Sequence, residues 1–168
     1  RDLFAAGADV VQIDEPYMQA RPEKARQYGL KALNRALNGI TGTTAVHICF
    51  GYAAIIHERP TGYSFLPELA GCSCNQISLE TAQSHLDCSA LAALDGKRLM
   101  VGCVDLSDPQ VESVQTIVER IERALPYVKP ENVILAPDCG MKYLPRETAI
   151  GKLAAMVDAA KILRQRHG

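Results

Sequence analysis

Five short apolar runs divide the chain: Val10–Ile13, Ala45–Phe50, Gln76–Glu80, Leu99–Val104 and Val133–Ala136. Polar or Gly/Pro residues follow each run, and a helical pattern usually comes next. Near-continuous apolar runs of this length are typical of parallel strands covered on both faces. Between the first two runs, Glu23–Leu37 reads as a helix, with Pro22 suited to its first turn. Val111, Val114, Val118, Ile121 and Leu125 recur at spacings of three and four, one face of a second helix. Ser107 or Asp108, just before Pro109, is its expected cap. A last helix is predicted from about Arg146 to Arg164, with Ile150, Leu153, Val157 and Ala160 turned inward. Shorter helices are expected over Phe65–Ala70 and Ser84–Leu94.

Strand starts recur every roughly 25–35 residues, the length of a βα unit. Strict alternation of strand and helix means a parallel sheet with right-handed crossovers. An open doubly wound sheet and a (β/α)8 barrel both satisfy that pattern. The doubly wound fold normally carries a Gly-rich phosphate turn after an early strand, and none is present. Reactive residues at the C-terminal ends of several strands favour the barrel. Five strands cannot close an eight-stranded barrel, so the expectation is an α/β fold in which residues 1–168 form the C-terminal part of one TIM-barrel domain, about strands four to eight. The first residues read as the end of a helix, which points the same way. The two open strand edges would then be covered by a second copy of the chain or by the N-terminal half of the barrel.

Composition narrows the class without deciding it. The 168 residues are 48% apolar and 22% charged, with a formal net charge of −1, an ordinary globular balance. No basic run argues for nucleic acid or an anionic membrane. No apolar stretch reaches the ~20 residues of a membrane helix. The first residues lack the pattern of a signal peptide. Six cysteines, at 49, 72, 74, 88, 103 and 139, sit in a chain with an adequate core pattern. Reduced thiols in a cytoplasmic protein are therefore expected rather than a disulfide scaffold.

His47, Cys49, Glu80 and Cys139 each stand in, or just past the end of, an apolar run. Side chains at i and i+2 of a strand share a face, so His47 and Cys49 can point the same way. One imidazole, two thiolates and a carboxylate complete a tetrahedral shell for Zn2+. Taken singly, each residue has a plainer reading: core His, core thiol, solvated acid. Polar groups at successive strand ends of a barrel converge on one mouth, however, and desolvated together they need a shared partner. Cys72 and Cys74 form a C-x-C in a turn and read as packing thiols, Cys88 and Cys103 as core. His57, His85 and His167 read as surface or loop residues.

Five stretches together, VVQIDEP (10–16), HICFGY (47–52), ISLET (77–81), VDLSDPQVES (104–113) and APDCGMK (136–142), give a specific match. Over nearly its whole length the chain resembles the C-terminal catalytic domain of the cobalamin-independent methionine synthases. The resemblance implies a (β/α)8 barrel with zinc held by His47, Cys49, Glu80 and Cys139. It implies a methyltransferase moving a methyl group to a thiol, homocysteine, to give methionine. Asp14 matches the residue that binds the homocysteine amino group, with Glu15 beside it, and Glu80 could loosen to admit the substrate sulfur. Asp105 is retained in a turn that in the folate-dependent enzymes reads approximately Y-D-I-H-S-P. Here Ser107 stands in place of the His linked to proton transfer at the methyl donor. The chain is closer in this respect to short single-barrel relatives, and the resemblance implies methyltetrahydrofolate or a methyl-corrinoid as the donor. Two other readings compete: alkyl transfer to another thiol, as in the similar epoxyalkane:coenzyme M transferases, and a non-catalytic barrel fragment that assembles with a partner chain.

Overall fold

A computed structural model describes residues 1–50 and 62–168. His57, and Gly51 and Tyr52 of the HICFGY stretch, lie outside the described residues. Among the described residues, five strands form one sheet: β1 (Val10–Glu15), β2 (Thr43–Ile48), β3 (Gln76–Leu79), β4 (Arg98–Val104) and β5 (Val133–Pro137). Every neighbouring pair is parallel, and the spatial order is β1-β2-β3-β4-β5. A doubly wound sheet reverses its strand order at a switch point. This sheet keeps chain order throughout, as a barrel wall does.

The register sorts the side chains into two faces. Asp14 lies opposite His47, His47 opposite Ser78, Ser78 opposite Met100 and Met100 opposite Ile134. The alternate positions Val46, Ile48, Ile77, Leu79, Leu99, Val101 and Cys103 are buried on the other face. Each large aliphatic side chain taken fully from water there contributes about 1.5–3 kcal/mol. Cys88 and Cys103 belong to this core, and His85 and His167 are exposed, in line with the sequence.

The helices mostly fall where the pattern places them, with three corrections. After the short α1 (Asp2–Ala5), the segment 22–37 is helical but not uniform. It runs as α2 (Pro22–Lys24), a π-helical turn over Ala25–Gly29, and α3 (Leu30–Leu37). Next, α4 spans Leu66–Leu69. The helix expected over Ser84–Leu94 is a 3-10 helix of Cys88–Leu94, capped by Asp87, which accepts from the Ser89 N–H. Upstream, the Ser84 hydroxyl donates to the Glu80 carbonyl and His85 adopts a left-handed backbone at φ 48°. Side-chain bonding to local backbone of this kind competes with helix.

The helix expected near Pro109 begins later, as α5 (Val114–Glu122). Its cap is Ser113, whose Oγ accepts from the Thr116 N–H at 3.1 Å. Asp105 and Asp108 instead take the N–H groups of Ser107 and Gln110 and hold residues 105–110 in turns. Val111 is consequently exposed. The third correction concerns α6 (Arg146–His167). Ile150, Leu153 and Val157 are exposed, and the buried stripe is Lys152, Ala155, Ala159 and Leu163. Small alanines let α6 approach α5 closely, whereas the larger residues stand on a face that nothing among the described residues covers.

Lys152 is fully buried and ties this helix to the loop after β4. Its Nζ donates to Glu112 Oε2 and to the Asp105 carbonyl, both at 2.9 Å. Glu112 Oε1 also accepts from Arg120 and from the Asp105 N–H. A buried ammonium needs such a counter-charge, because alone it would cost several kcal/mol.

Candidate metal centre

Strand geometry brings the four candidate ligands together. His47 is the penultimate residue of β2, Cys49 the first residue beyond it, and Glu80 the first beyond β3. Cys139 follows β5 by two residues. Their side-chain donor atoms all lie within 4.8 Å of one another. The two sulfurs, from positions 90 residues apart, approach to 3.3 Å. A zinc tetrahedron with bonds of about 2.0–2.3 Å has edges of about 3.3–3.8 Å, so the cluster stands close to the spacing the ion needs. Glu80 is completely buried, His47 and Cys49 are buried, and Cys139 is half-buried. Among the described residues no other His, Cys, Asp and Glu group of three or more meets these distances.

The hydrogen bonds leave one donor atom aimed at a missing partner. His47 Nδ1 lies 2.9 Å from Ser78 Oγ, which the β2–β3 register places opposite it. With its proton on Nδ1 and donated to that hydroxyl, the ring presents the Nε2 lone pair. Nε2 is buried and has no hydrogen-bond partner. An orphaned buried nitrogen is costly, and a cation shared with two sulfurs and a carboxylate removes the cost. The residues present therefore fit a zinc ion.

Electrostatics in the metal-free cluster agree with that donor set. Burial works against charging His47, but the neighbouring Cys139, Glu80 and Asp14 outweigh it and raise its pKa. The hydrogen bond with Cys49, opposed by burial and helped by His47, holds the Cys139 thiol well below the ordinary range. A thiol that gives up its proton this readily is the form a metal binds.

Several supporting residues carry no signal in the sequence. Tyr63 donates from its hydroxyl to the Ile48 carbonyl at 3.0 Å and accepts from the Glu80 N–H at 2.8 Å. It thereby links the ends of β2 and β3. Its ring stacks on Phe50, centroids 4.4 Å apart. Burial, then the nearby Glu80 carboxylate, pushes its phenol well above the usual value. The Phe50 N–H donates to Glu80 Oε1, and the Gln83 carboxamide to Oε2. Ser78 was readable only as a strand residue; its i+2 relation to Glu80 was the available clue.

The other sequence-selected residues stand at strand ends and make different local bonds. Asp14 is exposed at the end of β1, opposite His47, and its Oδ1 accepts from Gln12. Glu15 points to the alternate face and its Oε2 accepts from the N–H groups of Tyr17 and Met18. Asp105, just after β4, accepts from both the N–H and the hydroxyl of Ser107, at 2.8 and 2.6 Å.

Together, the sheet and cluster define a barrel-wall protein with a thiol-rich cluster that could hold a metal ion at the C-terminal ends of its strands. A family profile described as the cobalamin-independent synthase catalytic domain matches residues 1–162. The chain belongs to the cobalamin-independent methionine synthase family. Methionine synthase of Pyrococcus abyssi is 35% identical over 166 residues, which are 98% of this chain and 46% of that protein. The Sulfolobus acidocaldarius methionine synthase is 31% identical, with 98% and 46% covered. A solved structure of the B12-independent methionine synthase from Shewanella sp. W3-18-1, in complex with selenomethionine, superposes with a TM-score of 0.90 at 30% identity. It covers 98% of this chain and 51% of the other. The chain thus spans about half the length of the relatives it matches, and its sheet is the C-terminal part of a (β/α)8 barrel.

Proposed function

We propose that the chain carries the zinc-binding, thiol-activating part of a methyltransferase that converts homocysteine to methionine. One observation carries the reading: His47, Cys49, Glu80 and Cys139, from three strand ends, converge with an unpartnered imidazole nitrogen among them. Family membership supports the reaction class, and the Shewanella relative was solved with selenomethionine, the selenium analogue of the expected product. Zinc, when bound, would act as the Lewis acid that keeps a substrate thiol deprotonated at neutral pH, where a free thiol with pKa ~8.5 is mostly protonated.

The chain's own residues supply the rest. Cys49 and Cys139 would hold the ion as soft thiolates, which would temper its acidity and leave a bound substrate sulfur electron-rich. Glu80 is the ligand best able to yield a position, since Phe50 N–H and the Gln83 carboxamide can each hold an oxygen of the carboxylate. Asp14, exposed beside His47, pairs with the substrate ammonium, and Glu15 shapes the loop that follows. An acidic residue there disfavours a sulfonate-bearing thiol. A reducing cytoplasm suits the site, because sulfurs 3.3 Å apart would otherwise be prone to join.

The turn after β4 favours a donor within this reading. Methyl transfer from the tertiary amine of methyltetrahydrofolate leaves a nitrogen that must be protonated. Ser107 already donates its hydroxyl proton to Asp105 and is a poor acid at neutral pH. A corrinoid leaving group takes the electron pair on cobalt and needs no proton. A methyl-corrinoid, as substrate rather than resident cofactor, is the donor this turn suits better. A single-turnover assay of the full-length protein with homocysteine tests the reading. Methionine should form with methylcobalamin faster than with methyltetrahydrofolate, and Cys139→Ser should abolish it. Formation of no methionine from either donor, or turnover only with a sulfonate thiol, defeats the proposal.

A further inference from the structure

Asp138, the residue before Cys139, is completely buried and makes bonds that the proposed chemistry has not used. Its Oδ1 accepts from the N–H groups of Thr81 and Ala82, at 3.2 and 3.1 Å. Its Oδ2 accepts from the N–H of Gln83 at 2.6 Å. The Asp138 N–H in turn donates to the Val104 carbonyl at 3.1 Å. One carboxylate on the β5 side therefore grips the three residues that follow Glu80 on the β3 side, across the intervening strand β4. Gly102 of β4 makes the crossing possible, because a Cβ at that position would overlap Asp138 Oδ1 and press on the Leu79 carbonyl. The Thr81 hydroxyl donates to the Gly102 carbonyl at 2.6 Å, closing the same contact from the other side.

Adding Tyr63, which accepts from the Glu80 N–H, side chains hold four consecutive backbone N–H groups, from Glu80 to Gln83. Backbone after a strand normally bonds to a neighbouring strand or to water. Here it is strapped to the residue adjoining another ligand. We infer that Asp138 is a positioning residue: it locks the Glu80 and Cys139 ends of the site into one frame, so that the Glu80 carboxylate moves only by side-chain rotation. Ligand-supporting residues of this kind change metal affinity by about 10–100-fold when replaced. The inference rests on the zinc reading, and its test separates the two.

Zinc affinity by chelator competition, the visible spectrum of the cobalt(II)-substituted protein, and hydrogen exchange at residues 81–83 are measured on the full chain. Asp138→Asn retains the size but turns an acceptor into a donor facing backbone N–H groups. It should weaken zinc binding at least 10-fold, alter the cobalt spectrum and speed exchange at 81–83. Gly102→Ala leaves Asp138 chemically intact and should reproduce those changes by displacing its carboxylate. Cys103→Ala, a buried loss on the same strand whose thiol donates to the Ala136 carbonyl and makes none of these bonds, serves as the stability control and should leave affinity and spectrum unchanged. Affinity of Asp138→Asn within twofold of the parent, or a fall no larger than that of Cys103→Ala, overturns the inference. Should Asp138→Asn not fold, exchange in the parent decides: amides 81–83 should be among the protected ones, and loop-like exchange there overturns it. A parent chain that binds no zinc sinks the metal reading instead, and the exchange result alone then judges the latch.

Discussion

The protein has two cysteine pairs, one at each end of the sheet, and they stand in different surroundings. At the C-terminal ends, Cys49 and Cys139 come from separate strands and meet an imidazole and a carboxylate. At the opposite end, Cys72 and Cys74 are two residues apart in the turn before β3, and both are buried. The interaction between the two thiols lowers Cys72 below the ordinary thiol range and raises Cys74 above it. No His or carboxylate joins them in a metal-binding group among the described residues. The charge near by is Lys97, whose Nζ donates to the carbonyls of Cys72 and Cys74 at 2.5 and 3.0 Å. A cation that satisfies carbonyls stabilises a turn and competes with a metal for the same ground. Thiols alone therefore do not make a site; the lesson lies in what else the fold brings to them.

The sharpest way to break this comparison is metal content. Elemental analysis should find one zinc per chain, lost in Cys139→Ser, Cys49→Ser or His47→Ala and retained in Cys72→Ser and Cys74→Ser. Zinc that survives the first group and disappears in the second would reverse the assignment of the two pairs.

A smaller effect is expected from Lys97→Met, which leaves two carbonyls without their donor. Folding stability in a denaturant titration should drop by about 1–3 kcal/mol, with zinc stoichiometry unchanged. A loss of zinc in that variant would connect the two ends of the sheet.

The smallest effect concerns Cys103, a thiol in neither pair, packed on β4 with its proton directed at the Ala136 carbonyl. Burial, followed by the nearby Asp138, pushes it up to about 12. A folded-state value above the unfolded one contributes stability at pH below the unfolded thiol value of ~8.5, and that stability is lost as pH rises towards 12. At pH 10 the loss should be about 1–2 kcal/mol, and Cys103→Ala should flatten that part of the pH–stability profile. In thiol labelling of the folded, metal-free chain, half-buried Cys139 should react first and Cys103 last. A steep alkaline loss that persists in Cys103→Ala would mean that another group governs it.

Strands were legible because parallel strands buried on both faces need near-continuous apolar runs. The four-residue cluster was legible because each member ends such a run, and strand ends in a barrel share a mouth. The inward face of α6 was not. Apolar residues lie all around that helix, so the spacing of Ile150, Leu153 and Val157 is as regular as that of Ala155, Ala159 and Leu163. Close packing against α5 selected the small residues, a choice that periodicity does not encode. Nor could a pattern reveal that Lys152 is fully buried, since its counter-charge Glu112 lies 40 residues away. The cap of α5 was misplaced because Ser107, Asp108 and Ser113 are all competent caps. The turns held by Asp105 and Asp108 decided among them.

By itself, then, the amino-acid order determined the number and spacing of the βα units, the parallel sense of the sheet and the identity of the candidate ligands. Those properties follow from local hydrophobic periodicity and side-chain chemistry, which each segment carries alone. Tertiary structure decided which ring nitrogen of His47 is left open, how Tyr63 and Asp138 hold Glu80, and which side of α6 is covered. Each of these depends on a contact between residues far apart in the chain, and its energy exists only after the strands have been laid side by side.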